Sequence, residues 1–119
     1  SGSTGKPKGV VHCHGYVSGL LLTLQGNFDA VPGNDVMMVA ATPGWITGQS
    51  YMIHGTLAMG LTSVITNSSP LSPFATRFAA VLERYAVSVF KAGVAFVKTF
   101  AAAGKDADLE AYDLSALRV

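Results

Sequence analysis

Apolar and polar positions fall into blocks whose period changes along the chain. Tyr16, Leu20, Leu24 and Phe28 recur at every fourth position, which predicts a helix over residues 15–28 with one apolar face. Val31-Pro32-Gly33-Asn34-Asp35 is punctuated as a turn. Val36-Met37-Met38-Val39-Ala40 is continuously apolar, as expected of a strand buried on both faces, and Pro43-Gly44 breaks it. Residues 47–59 predict a second helix, with Thr47 as candidate N-cap and Gly60 as its stop. Residues 61–66 are rich in β-branched side chains and predict a strand, followed by an Asn67-Ser68-Ser69-Pro70 loop. Ser72 is placed to cap a third helix, with Pro73 at its first position and Tyr85 at its end. A strand over 88–91, a helix over 94–103 closed by Gly104, and a polar connection over 105–112 complete the pattern. Alternation of this kind predicts an α/β fold: a mostly parallel sheet with right-handed βαβ crossovers. Such sheets bind ligands at the carboxyl ends of their strands. No repeat or second domain is visible.

Composition narrows the class. A chain of 119 residues can bury one core. Half its residues are hydrophobic and 13% are charged, which suits a buried α/β core and a piece that leans on neighbours. Eight basic against seven acidic residues, net +1, argues against a nucleic-acid partner. No apolar run approaches the ~20 residues of a membrane span. The longest candidate, residues 17–24, is interrupted by Ser18, Gly19 and Thr23. No charged amino-terminal region with a cleavage site is present, so no secretory signal is read. A single cysteine, Cys13, cannot form an internal disulfide, and a reducing cytoplasm is the simplest setting.

Chemistry concentrates at the start. Ser1-Gly2-Ser3-Thr4-Gly5-Lys6-Pro7-Lys8-Gly9 packs glycines, hydroxyls and two lysines around one proline. Glycine lets backbone N–H groups approach an anion, and hydroxyls and ammonium groups add donors and charge. Followed by the strand-like Val10-Val11-His12, the loop reads as a nucleotide-phosphate cradle; composition alone also admits a flexible linker. It is not a Walker A loop, because only two residues separate Gly2 from Gly5 and Pro7 follows Lys6. His12, Cys13 and His14 lack the separated ligand pairs of a zinc site, so no metal site is expected. His54 lies in an apolar stretch and is read as a core histidine. Asp29, Asp35, Glu83, Asp106, Asp108, Glu110 and Asp113 are scattered and read as turn or helix-surface acids, with no acid–base pair among them.

The nine-residue loop resembles the phosphate-loop signature of the AMP-forming adenylating enzymes, a family of acyl-CoA synthetases, luciferases and peptide-synthetase adenylation domains. Gly44-Trp45-Ile46-Thr47-Gly48-Gln49-Ser50-Tyr51 resembles a stretch of the short-chain branch, the acetyl- and propionyl-CoA synthetases. The aspartate common there is Thr42 or Pro43 here. Phe90-Lys91-Ala92-Gly93 and Tyr112-Asp113-Leu114-Ser115-Ala116-Leu117-Arg118 extend the similarity along the whole chain. The Phe90-to-Gly93 run and the Gly44-to-Tyr51 stretch most resemble those of propionyl-CoA synthases and 3-hydroxypropionyl-CoA synthetases.

The resemblance implies part of the large N-terminal domain of an adenylate-forming enzyme, with residues 1–119 a partial AMP-binding domain truncated at both ends. It implies ATP, Mg²⁺ and coenzyme A, a short carboxylic acid such as acetate, propionate or 3-hydroxypropionate, and the remainder of a parent synthetase as partner. The catalytic lysine of the family's small C-terminal domain has no counterpart here, so the piece by itself is expected to be inactive. Ser1, Gly2, Ser3, Thr4, Gly5 and Lys8 would hold the ATP phosphates, with Lys6 facing solvent. Trp45, Ile46 and Thr47 would line the acyl pocket. Trp45 could instead be a core aromatic, and Thr47 a helix cap. Thr47, Ala92 and Gly93 would approach CoA. The family usually shows Thr-Ala-Pro-Thr where this chain has Lys91-Ala92-Gly93-Val94, and Lys91 would offer a cation to substrate or CoA, or pair with an acid. Leu71 replaces an Asn that contacts CoA in some relatives, which puts that contact in doubt. Another adenylating ligase, or a non-catalytic α/β nucleotide-binding module, are the other readings.

Overall fold

A computed structural model describes residues 5–67 and 69–119. Helix α1 (His14–Phe28) is the first helix. Its predicted face turns inward: Leu20 and Leu24 are buried, and Tyr16 and Phe28 are half-buried. The helix stops where Asp29 takes a left-handed conformation (φ 47°) and its N–H caps the Leu24 carbonyl. Strand β1 (Val36–Ala40) follows and lies at the centre of a parallel sheet, between β2 (Thr62–Val64) and β3 (Val89–Ala92). Met37 pairs with Ser63 on one side and with Val89 on the other; Val39 faces Lys91 and Ala40 faces Ala92. A central parallel strand is covered on both faces, which is why β1 carries no polar residue.

Two apolar layers flank the sheet. On one face α1 and the segment after β1 bring Leu24, Met52 and Leu61 against Met37, Val39 and Val89. On the other, α3 (Arg77–Arg84) and α4 (Val94–Ala103) cover Met38 and Val87. Phe78 anchors this second layer. Its ring meets those of Phe96 and Phe100 edge-on at 5.1 and 5.0 Å and stacks near Phe90 at 5.8 Å. Edge-to-face geometry sets the positive ring edge against the negative face of its neighbour.

Several sequence expectations are corrected. Val10-Val11-His12 forms no strand; no described segment pairs with it, and Val11 is 98% exposed. The stretch over 47–59 is helical, but it is a π-helix (Gly48–His54) running into α2 (Gly55–Met59). Thr47 does not cap it: its backbone is already helical (φ −62°, ψ −40°) and its hydroxyl makes no capping bond. Gly60 does stop α2, in a left-handed conformation (φ 75°). The third helix starts only at Arg77. Ser72, Pro73 and their neighbours form separate turns closed by Ser72 N–H to Ser69 C=O and Arg77 N–H to Phe74 C=O. The polar connection near the end folds into a 3₁₀-helix (Asp106–Ala111). Beyond it, Arg118 and Val119 lie along β3, with Arg118 N–H donating to Ser88 C=O and Phe90 N–H to Val119 C=O.

Candidate functional site

Of the expected phosphate ligands, Ser1, Gly2, Ser3 and Thr4 lie outside the described residues. Gly5, Lys6 and Lys8 are exposed on an irregular segment that leads directly into α1. The segment therefore presents N–H groups and ammonium groups to solvent with no strand behind it.

The turn after β1 is built by close backbone packing. Trp45 N–H donates to the Thr42 carbonyl, Gln49 N–H to the Trp45 carbonyl, and the Gln49 amide to the Pro43 carbonyl. Gly48 sits so near this turn that a Cβ would lie 2.0 Å from the Thr42 oxygen, a distance no side chain tolerates. Trp45 and Ile46 are turned outward from this chain, 53% and 50% exposed. A tryptophan held in solvent by a fixed turn is available to a ligand. Thr47 is half-buried beside them.

A cavity of about 420 Å³ lies between this turn and the start of α1, lined by Ile46, Gln49, His54, His12, His14 and Tyr16 among others. His54, expected in the core, is exposed and faces this cavity from the last turn of the π-helix. Tyr16 stacks on His12 at 4.0 Å between ring centroids, and its hydroxyl bonds Ser50 Oγ. Ser50 is buried and donates to the Ile46 carbonyl at 2.6 Å.

A second, larger cavity of about 730 Å³ opens at the carboxyl ends of β1 and β2, lined by Ala40, Thr42, Pro43, Thr66, Asn67 and Phe96 among others. Leu71 lines it too. Ala92 ends β3 and Gly93 caps α4 at the same edge of the sheet. Around Gly93 an added Cβ would meet nothing within 4 Å. Lys91 is turned to the opposite layer: its Nζ lies 4.8 Å from the Tyr51 ring and 5.5 Å from that of Phe28. The ammonium is thus held over two aromatic faces.

The strongest electrostatic feature is at the other end of the strands. Asp35, expected on the surface, is 2% exposed immediately before β1. It accepts from Val31 N–H at 2.7 Å, from Ser88 Oγ at 2.7 Å, and from Arg118, whose guanidinium also reaches the Asp29 carbonyl. Burial by itself pushes the Asp35 carboxyl up. The bonds from Arg118, Val31 and Ser88 and the guanidinium charge outweigh it and hold the carboxyl below its ordinary value. The same bond to Asp35 is the main cause raising Arg118 above its ordinary value. Sequence reading missed this network. The available signal was an acid directly before one apolar strand, a serine directly before the next, and an arginine at the end of the last motif.

Among the described residues no group of three or more His, Cys, Asp or Glu side chains is placed to hold a metal ion. These residues therefore supply no protein cage for Mg²⁺, an ion that commonly binds through substrate phosphates and one or two carboxylates. Nor is any described helix long and apolar enough to cross a membrane.

A parallel α/β sheet with an opening at the carboxyl ends of β1 and β2 has the arrangement in which open α/β folds place their ligands. The chain belongs to the AMP-binding enzyme family, whose model matches residues 1–119. Over its whole length it is similar to acetyl-coenzyme A synthetases: 42% identical to that of Thiobacillus denitrificans and 44% to that of Chromobacterium violaceum. Acetyl-coenzyme A synthetase 1 of Candida albicans is 41% identical over the same span. The chain spans 18% of the length of each of these relatives.

Proposed function

We propose that this chain is part of an ATP-dependent, AMP-forming short-chain acyl-CoA synthetase. The observation that carries this reading is the similarity to acetyl-coenzyme A synthetases, 42% and 44% identity in two relatives over the whole of this chain. The geometry supports it: the turn motif sets Trp45 and Ile46 in solvent beside a cavity, and the carboxyl edge of the sheet is open.

In this reading a carboxylate oxygen of the acid attacks the α-phosphorus of ATP. The bond to the bridging oxygen breaks, and pyrophosphate leaves with its electron pair. The sulfur of coenzyme A then attacks the acyl carbon, the acyl–phosphate bond breaks, and AMP leaves as the thioester forms. Charge neutralisation and positioning dominate such transfers. The segment with Gly5 and Lys8, and with Ser1, Gly2, Ser3 and Thr4 before it, would supply donors to the phosphates. Trp45, Ile46 and Thr47 would bound the acyl group. Thr47, Ala92 and Gly93 would face coenzyme A, where small residues leave room for its arm. The remainder of the synthetase would supply the catalytic lysine.

The test is pyrophosphate release by the full-length protein with ATP and Mg²⁺, offering acetate, propionate, 3-hydroxypropionate and octanoate in turn. Release with a short acid, then AMP and thioester on adding coenzyme A, is the expected result. Release with octanoate alone moves the chain to another adenylating branch. Silence from a folded protein with all four leaves a non-catalytic nucleotide-binding module.

A further inference from the structure

We propose that Tyr16 and Ser50 are a positioning pair that fixes the Ile46 wall of the acyl pocket from the first turn of α1. The inference rests on the synthetase reading above.

Each hydroxyl has one proton to donate. Ser50 gives its proton to the Ile46 carbonyl at 2.6 Å, so the proton between the two hydroxyls comes from Tyr16. The result is a directed chain from Tyr16 to Ser50 to the Ile46 backbone. Its middle member is buried, where such a bond is shielded from water. Its outer member is clamped by stacking on His12. Ile46 itself is half-exposed and lines the 420 Å³ cavity. The bond from Ser50 ties its backbone carbonyl from the side-chain side, on helical backbone. Tyr16 and His12 line the same cavity from the opposite side. The pair thus sets the width of the cavity at the level of Ile46, and hence which acid fits.

Neither residue touches the reacting atoms, so the effect belongs in substrate selection and not in turnover alone. The experiment uses the full-length enzyme with Tyr16→Phe, which keeps the ring and its stacking, and Ser50→Ala. Steady-state constants are taken for acetate, propionate and butyrate. The expected result is a KM for the preferred acid raised several-fold, a narrowed preference between propionate and butyrate, and a KM for ATP within about twofold of wild type. The double variant should be no worse than Ser50→Ala, because both remove one chain of bonds. A purely structural role would lower the active fraction and leave the acid preference untouched. Folded variants with unchanged acid KM and unchanged preference, in an active wild-type background, overturn the pair. Should Ser50→Ala fail to fold, Tyr16→Phe alone decides by the same criteria. A wild-type protein silent with every acid overturns the synthetase reading, and this inference with it.

Discussion

Asp35 shows how one residue can matter through its neighbours. Its carboxylate is buried at the amino end of β1, yet every contact it makes is a donor: Val31 N–H, Ser88 Oγ and Arg118. A buried charge is costly unless so surrounded. Replacing it as Asp35→Asn removes the charge that the guanidinium faces, and should cost roughly 1–3 kcal/mol in the full-length protein. The pH dependence follows from the sign of the shift. An acid whose folded pKa is depressed stabilises fully above its unfolded value, near 3.8, and that stability is lost as pH falls through the folded value. Thermal unfolding followed from neutral pH downward should show an acid-side loss that is shallower in Asp35→Asn. Equal acid limbs in the two proteins would remove the residue from this role. Lys91 carries a related lesson. The sequence suggested a cation for substrate or coenzyme A, or a partner for an acid; in this chain the ammonium rests over two aromatic faces.

At the scale of elements, the turn between β1 and the π-helix is where backbone packing is tightest. Gly48 and Gly55 both lie where a Cβ would strike backbone oxygen, at 2.0 Å from Thr42 and 2.7 Å from Ser50. Neither obstacle is a flexible side-chain end. Gly48→Ala must therefore move the turn that carries Trp45 and Ile46, at a cost of about 3 kcal/mol or more. The measurement is melting temperature together with acid-dependent pyrophosphate release in the full-length protein. A variant with unaltered melting and release would show that the turn can give way without consequence. The helix itself was legible in the sequence from its end signals, of which Gly60 holds and Thr47 does not, but its π character was not. Gly48 packs against the Thr42 carbonyl across the turn, and the Ser50 hydroxyl bonds Tyr16, 34 positions away. The start of α3 was misplaced for a similar reason. Thr76 spends its hydroxyl on Tyr112, 36 positions away, and Ser72 sits in a turn closed by Ser69.

For the molecule as a whole, the sheet has two ends with different tasks. The amino ends of β1 and β3 are cross-tied by Asp35, Ser88 and Arg118, while the carboxyl ends open onto the larger cavity. Such division leaves the ligand edge free of the charges that hold the strands together. Gly93 tests the reading of that edge. Its backbone (φ −89°, ψ 164°) is open to any residue, and a Cβ there meets nothing. Gly93→Val should therefore leave folding and pyrophosphate release intact. If coenzyme A passes this edge, its KM should rise about tenfold, a loss of ~1.4 kcal/mol. A normal KM for coenzyme A in the variant would take Gly93 out of the thiol's path.

The alternation of helices and strands from residue 14 onward, the burial of Val36–Ala40 and the face of α1 were determined by the sequence itself, because spacing of apolar residues is a local property that survives in any context. The motifs also marked the family, since their residue types and order are written directly in the chain. Only the tertiary structure decided that Asp35 is buried, that His54 faces a cavity, that Val10 and Val11 pair with no described strand, and that Tyr16 bonds Ser50. Those outcomes depend on which side chains arrive from far along the chain, and a polar residue's fate is set by the partners it meets and not by its own preference.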